Sequence, residues 1–78
     1  MIKIAIRRWP SGADSAPLPF DIFSLTRVPC VGEHVTEIEG EGVTASVYRV
    51  VRVVHFFKPG DGGRVAEVDA VIDKTRGF

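Results

Sequence analysis

One cysteine in 78 residues leaves no internal disulfide to hold the chain, which excludes the cross-linked framework of a small secreted scaffold. Neither sign of charge is in excess. Ten Lys and Arg face ten Asp and Glu, which removes the basic footprint of a general nucleic-acid binder or a membrane-surface protein. No apolar run approaches the roughly 20 residues needed to cross a bilayer, and the start lacks the basic-then-apolar pattern of a signal peptide. A soluble, cytoplasmic protein without a membrane partner is expected. The length suits one domain over residues 1–78. An apolar fraction of 45% argues against intrinsic disorder, so an ordinary hydrophobic core must hold the fold.

What is present is mostly strand and turn chemistry. Ile2, Ile4 and Ile6 alternate with Lys3, Ala5 and Arg7, the period-2 pattern of a half-buried strand. Residues 9–19 hold three prolines and form a loop. A short strand is expected at residues 20–25. A turn led by Pro29 follows, in which Gly32 supplies a backbone conformation that a side chain would resist. The next strand spans residues 34–39, and Gly40, Glu41 and Gly42 make a tight connection. Residues 43–57 contain no proline or glycine and are rich in β-branched and aromatic side chains, giving the longest strand. Residues 58–63 are the clearest turn and close a hairpin.

The hairpin sets its own register. On the returning arm Ala66, Val68, Ala70 and Ile72 fall on one face and point to the core. Arg49 and Arg52 both require solvent but are three residues apart, which a regular strand cannot satisfy, so a one-residue bulge is expected near Val50 and Val51. With Phe57 opposite Arg64, Arg52 meets Asp69 and Arg49 meets Asp73. Val51, Val53 and His55 then face inward across from Ala70, Val68 and Ala66, with Val50 across from Ile72. About five strands, little or no helix and glycine or proline at the corners predict an all-β fold, a small, strongly bent antiparallel barrel or half-barrel.

The run Val28-Pro29-x-Val31-Gly32-Glu33-x-Val35, followed by Tyr48-x-Val50-x-x-Val53-x-His55, resembles small bacterial and phage proteins of the Src-homology-3-like barrel type over residues 28–57. The resemblance implies a small barrel and carries no activity, cofactor or catalytic residue.

Few residues invite chemistry. Cys30, His34 and His55 supply a thiol and two imidazoles, but a lone cysteine between Pro29 and Val31 reads as a small buried hydrophobe, and three such groups fall short of a structural zinc site. His55 is expected at the barrel mouth, bonded to a backbone carbonyl of the proline-rich loop. The hairpin tip at Pro59-Gly60-Asp61-Gly62-Gly63 lacks the features of a phosphate or calcium loop. No catalytic residue, metal or cofactor is expected, and the chain reads as no enzyme.

Interaction surfaces are better represented. Glu33, Glu37, Glu39 and Glu41 make one edge acidic, either as a solvated face or as a docking surface for a basic partner. Val54, Phe56 and Val65 turn outward with Arg52 on their rim. Either residues 20–25 fold over this patch, adding Ile22 and Phe23 to the core, or it stays open as a homodimer or partner interface anchored by Phe56. Trp9, Tyr48, Arg49 and Arg52 offer stacking and phosphate contacts, although Asp69 and Asp73 oppose them. The sequence thus reads as a non-enzymatic protein-interaction module, such as a phage or mobile-element protein that modulates a host complex. The alternative is a nucleic-acid-binding barrel.

Overall fold

The computed structural model describes residues 1–39 and 44–77, in which five strands run in the order β1 (Ile2–Trp9), β2 (Asp21–Leu25), β3 (His34–Glu39), β4 (Thr44–His55) and β5 (Arg64–Gly77). The one helical element among these residues is a single 3-10 turn at Asp61–Gly63. The strands form one sheet in the spatial order β2-β1-β5-β4-β3, curled strongly into a half-barrel. The tight connection expected at residues 40–42, with Glu41 in it, lies outside the described residues.

Three of the four strand pairings are antiparallel, and β1 pairs with β5 in parallel. This places β1 inside the sheet, where Ile4, Ala5 and Ile6 are all buried; the strand is covered on both faces rather than on one. Ile4, Ile6, Tyr48, Val50, Ala66, Val68 and Ala70 form the core on the concave side. Ile4, Val50 and Val68 are its largest fully buried side chains, each contributing about 1.5–3 kcal/mol through removal from water.

The β4–β5 hairpin follows the expected register near its tip and departs from it lower down. Arg52 lies opposite Asp69, Val53 opposite Val68 and His55 opposite Ala66. The bulge residue is Val51, which is skipped in the ladder and exposed; Val51 does not face inward. Below it Val50 pairs with Ala70 and Arg49 with Val71, correcting the expected partners Ile72 and Asp73. A second irregularity lets Val47 pair with Lys74 while Tyr48 pairs with Ile72, so Asp73 is the extra residue on β5. Its length of 14 residues makes β5, not β4, the longest strand.

The turn before β3 is fastened to the bulge. The Gly32 N–H donates to the Val50 carbonyl at 2.8 Å, and the Val50 N–H donates to the Glu33 carbonyl at 2.8 Å. Gly32 adopts φ 92°, a left-handed conformation that costs other residues about 1–2 kcal/mol. Strand β2 extends the sheet beyond β1 and does not fold over the β4–β5 patch. Its Phe23 and Leu25 pack against the core, whereas Ile22 is exposed.

Candidate functional site

Curling brings the two edge strands, β2 and β3, to either side of an apolar opening on the concave face. Ile6, Phe23, Leu25, Val35 and Tyr48 line a cavity of about 110 Å³ there, with Arg8, Thr36 and Glu37 at its polar margin. A second cavity of about 190 Å³ shares Leu25 and Val35 with the first and continues past Thr26, Arg27, Pro29, Glu33 and His34. The two form a groove running along β3 from Glu33 to Glu37.

Arg8 organises one end of this groove. Its side chain is only 16% exposed, yet it contacts two carboxylates: Asp21 at 2.5 Å and Glu37 across the opening. Its guanidinium also lies 5.6 Å from the centre of the Phe23 ring, a favourable stacking distance for a cation. At the other end Arg27 binds Glu33 through two hydrogen bonds, at 2.7 and 2.5 Å, and the Cys30 N–H donates to the same carboxylate at 2.6 Å. The Arg27 side-chain bonds and the Cys30 backbone bond hold the Glu33 carboxyl down to about 2. His34 meets Asp73 at 2.8 Å, so the acid expected beside Arg49 serves β3 instead.

The convex face carries a second polar cluster, centred on Asp69, which is 5% exposed. Arg7 Nε donates to it at 2.6 Å, Trp9 Nε1 at 3.2 Å and Arg52 at 3.3 Å. Burial alone would push the Asp69 carboxyl up; the hydrogen bonds from Arg7 and Trp9 outweigh it and hold the group below the usual carboxylate range. The Arg7 guanidinium lies 5.3 Å from the Trp9 ring centre and 4.8 Å from that of Phe20. Together with the Leu18 N–H, which donates to the Arg8 carbonyl at 2.9 Å, these contacts fasten the proline-rich loop to the sheet.

The residues singled out from sequence scatter over both faces. Glu37 sits on the groove margin, and Glu39 ends β3. Arg52, Val54 and Phe56 lie along β4 and its end, and Val65 on β5. Phe56 is half-buried: its ring lies 5.6 Å from the Arg64 guanidinium, and a Cβ on Gly60 would come within 3.3 Å of it. The fully exposed aromatic is Phe57. Tyr48, a candidate stacking residue, is instead a core side chain. Cys30 is exposed rather than buried, and so is His55. Arg8 and Asp21, missed from sequence, carried one signal: Arg8 falls on the otherwise apolar inward side of β1, where a cation requires a partner.

The fold is therefore an open, all-β half-barrel with a groove between its free edges. No protein-family model and no solved structure matches the chain. Among curated proteins, lipopolysaccharide heptosyltransferase 1 of Salmonella typhimurium is 32% identical over 60 residues, 77% of this chain. The match spans 19% of that protein's length.

Proposed function

We propose that the chain is a non-enzymatic protein-interaction module, consistent with a phage or mobile-element protein that modulates a host complex. The observation that carries this reading is the open side of the half-barrel, where two unclosed edge strands flank an apolar groove. Edge strands present backbone donors and acceptors to another chain, and an apolar opening beside them gives a partner side chain somewhere to dock. The nucleic-acid alternative loses support because Arg7 and Arg52 are both drawn onto Asp69, which offsets the charge a phosphate would need. The partial match to a heptosyltransferase covers too little of that protein to bring its activity here.

Affinity capture with three forms of the protein tests the proposal. Thr36→Arg places a long charged side chain at the groove margin from an exposed position, and Phe57→Ser alters the hairpin tip. Partners retained by the parent and by Phe57→Ser but lost with Thr36→Arg support the groove. Loss with Phe57→Ser alone moves the interface to the tip, capture abolished by nuclease favours the nucleic-acid reading, and no capture by any form removes the proposal.

A further inference from the structure

We propose that the tip of the β4–β5 hairpin docks on an anionic lipid surface, with Phe57 seated among the headgroups and Lys3, Lys58 and Arg64 facing their negative charge. This goes beyond the groove and does not depend on it. Two backbone bonds define the tip: the Phe56 N–H donates to the Val65 carbonyl at 2.9 Å, and the Gly60 N–H donates to the Arg64 carbonyl at 2.8 Å. Residues 57–59 lie between these bonds, outside the ladder, and all three are exposed. Pro59 has no N–H to return to the sheet, and its ring disfavours helical backbone at Lys58. The Phe57 ring is thus held out in water with nothing covering it.

The charge at this end is one-sided, although the chain as a whole is balanced. Strand β1 begins beside the tip, because Lys3 pairs with Arg64, and Lys3 Cδ would lie 3.8 Å from a Cβ on Gly63. Lys3 and Lys58 are exposed, and neither has an ion-pair partner among the described residues. Arg64 stacks on Phe56 and donates to the Asp61 carbonyl oxygen, which leaves its charge without a carboxylate. The one acid in the tip is Asp61, so three cations against one carboxylate leave two positive charges. Further up the convex face Glu67 and Asp69 are balanced by Arg7 and Arg52, and Arg27 is balanced by Glu33. A chain-wide total says nothing of such local asymmetry.

Shape selects lipid over an acidic protein. A protein partner must supply a fitted pocket for a protruding ring, whereas the headgroup region accepts an aromatic without one. Lys58, next in sequence to Phe57, can lay its alkyl stem beside the ring and keep its ammonium at the level of the phosphates. Each basic side chain near an anionic leaflet strengthens binding roughly fivefold, so one aromatic with two net charges gives weak, reversible attachment.

Co-sedimentation of the full chain with two kinds of vesicle tests this, one of phosphatidylcholine alone and one with about 30% phosphatidylserine. At low salt the parent should bind the anionic vesicles at least about tenfold more tightly than the neutral ones, and high salt should abolish the difference. Phe57→Ser should weaken binding several-fold, and Lys58→Glu, which changes the charge by two, roughly 25-fold. Both positions are exposed, and circular dichroism checks that each variant keeps its fold. Equal binding to the two vesicles, no binding to either, or parental affinity in both variants would overturn the inference. A polyglutamate peptide bound as tightly as the anionic vesicles would assign the tip to an acidic protein and overturn it too. Failure on lipid leaves the interaction-module reading standing, since that is read from partner capture with Thr36→Arg.

Discussion

Arg8 and Glu37 belong to strands three places apart in the sheet, yet their side chains meet across its concave side. The sheet must curl for this contact to form, so the pair acts as a tie across the open half of the barrel. It also fixes the polar end of the groove, because the same guanidinium reaches Asp21 on the opposite edge strand.

Replacing Arg8 with methionine keeps much of the side chain's volume and removes the tie. Asp21 and Glu37 then lose the guanidinium that joins them. A loss of about 1–3 kcal/mol is expected from removing these charge-assisted contacts at a partly buried site, read as a lower urea midpoint. No change in midpoint would mean that the curl is set by the core alone.

Asp69→Ala should cost more, about 2–4 kcal/mol, since it strips the shared acceptor from Arg7, Trp9 and Arg52. The single Trp9 reports the event directly. Its emission should shift to longer wavelength as the proline-rich loop loosens, and an unchanged spectrum would show that stacking on Arg7 suffices to hold the ring.

The Arg27–Glu33 pair gives an acid-dependent contribution. Glu33 is held at about 2, below its ordinary 4.5, so the folded state binds this proton less readily than the unfolded chain. Its stabilisation is present above about pH 4.5 and is lost as pH falls through 2. Both groups are exposed and the effect is screened by salt. Urea midpoints measured from pH 6 to 2 should fall less steeply in Glu33→Gln than in the parent; parallel curves would count against the pair.

Adjacent phenylalanines should behave differently. Phe57→Ser, at a fully exposed position, should leave stability within about 0.5 kcal/mol of the parent. Phe56→Ser removes a half-buried ring packed on Gly60 and Arg64, and about 1–2 kcal/mol is expected, less than the 3–5 of a fully buried aromatic. Thermal melts of the two variants decide this, and a reversed order would mean that the hairpin end packs the other way.

The hairpin was readable from sequence because its constraints are local and redundant. Arg49 and Arg52, three residues apart, both required an outward place, and only a bulge reconciled them, while Ala66, Val68 and Ala70 alternated inward. The side chain at fault was Val51, since the arginines locate a bulge between them without saying which valine leaves the ladder. The extra residue at Asp73 left no such conflict and so went unseen. Long-range pairing was less legible. Nothing in the alternation of β1 says that its neighbours are β2 and a parallel β5, and Arg8 acquires its two acids only through that arrangement. The acidic stretch on β3 was visible as composition, but its role as one wall of a groove depends on the curl. The different exposure of the two aromatics at the hairpin end was not legible for a related reason: Phe56 and Phe57 lie where the strand stops alternating.

The parallel pairing of β1 with β5 has a consequence for the order of folding. Strands β3, β4 and β5 follow one another as a meander, and β1 and β2 pair across one loop, so both units close over short stretches of chain. Arg7 and Asp69, by contrast, are separated by 62 residues, and the ladder beside them must wait for β5. Closure over so long a stretch is entropically slow. Until β5 arrives, Ile4 and Ile6 have no neighbour on that side, and the emerging β1–β2 unit presents an unpaired, strongly apolar edge. Docking of β5 on β1 therefore covers that edge in the same step that completes the core.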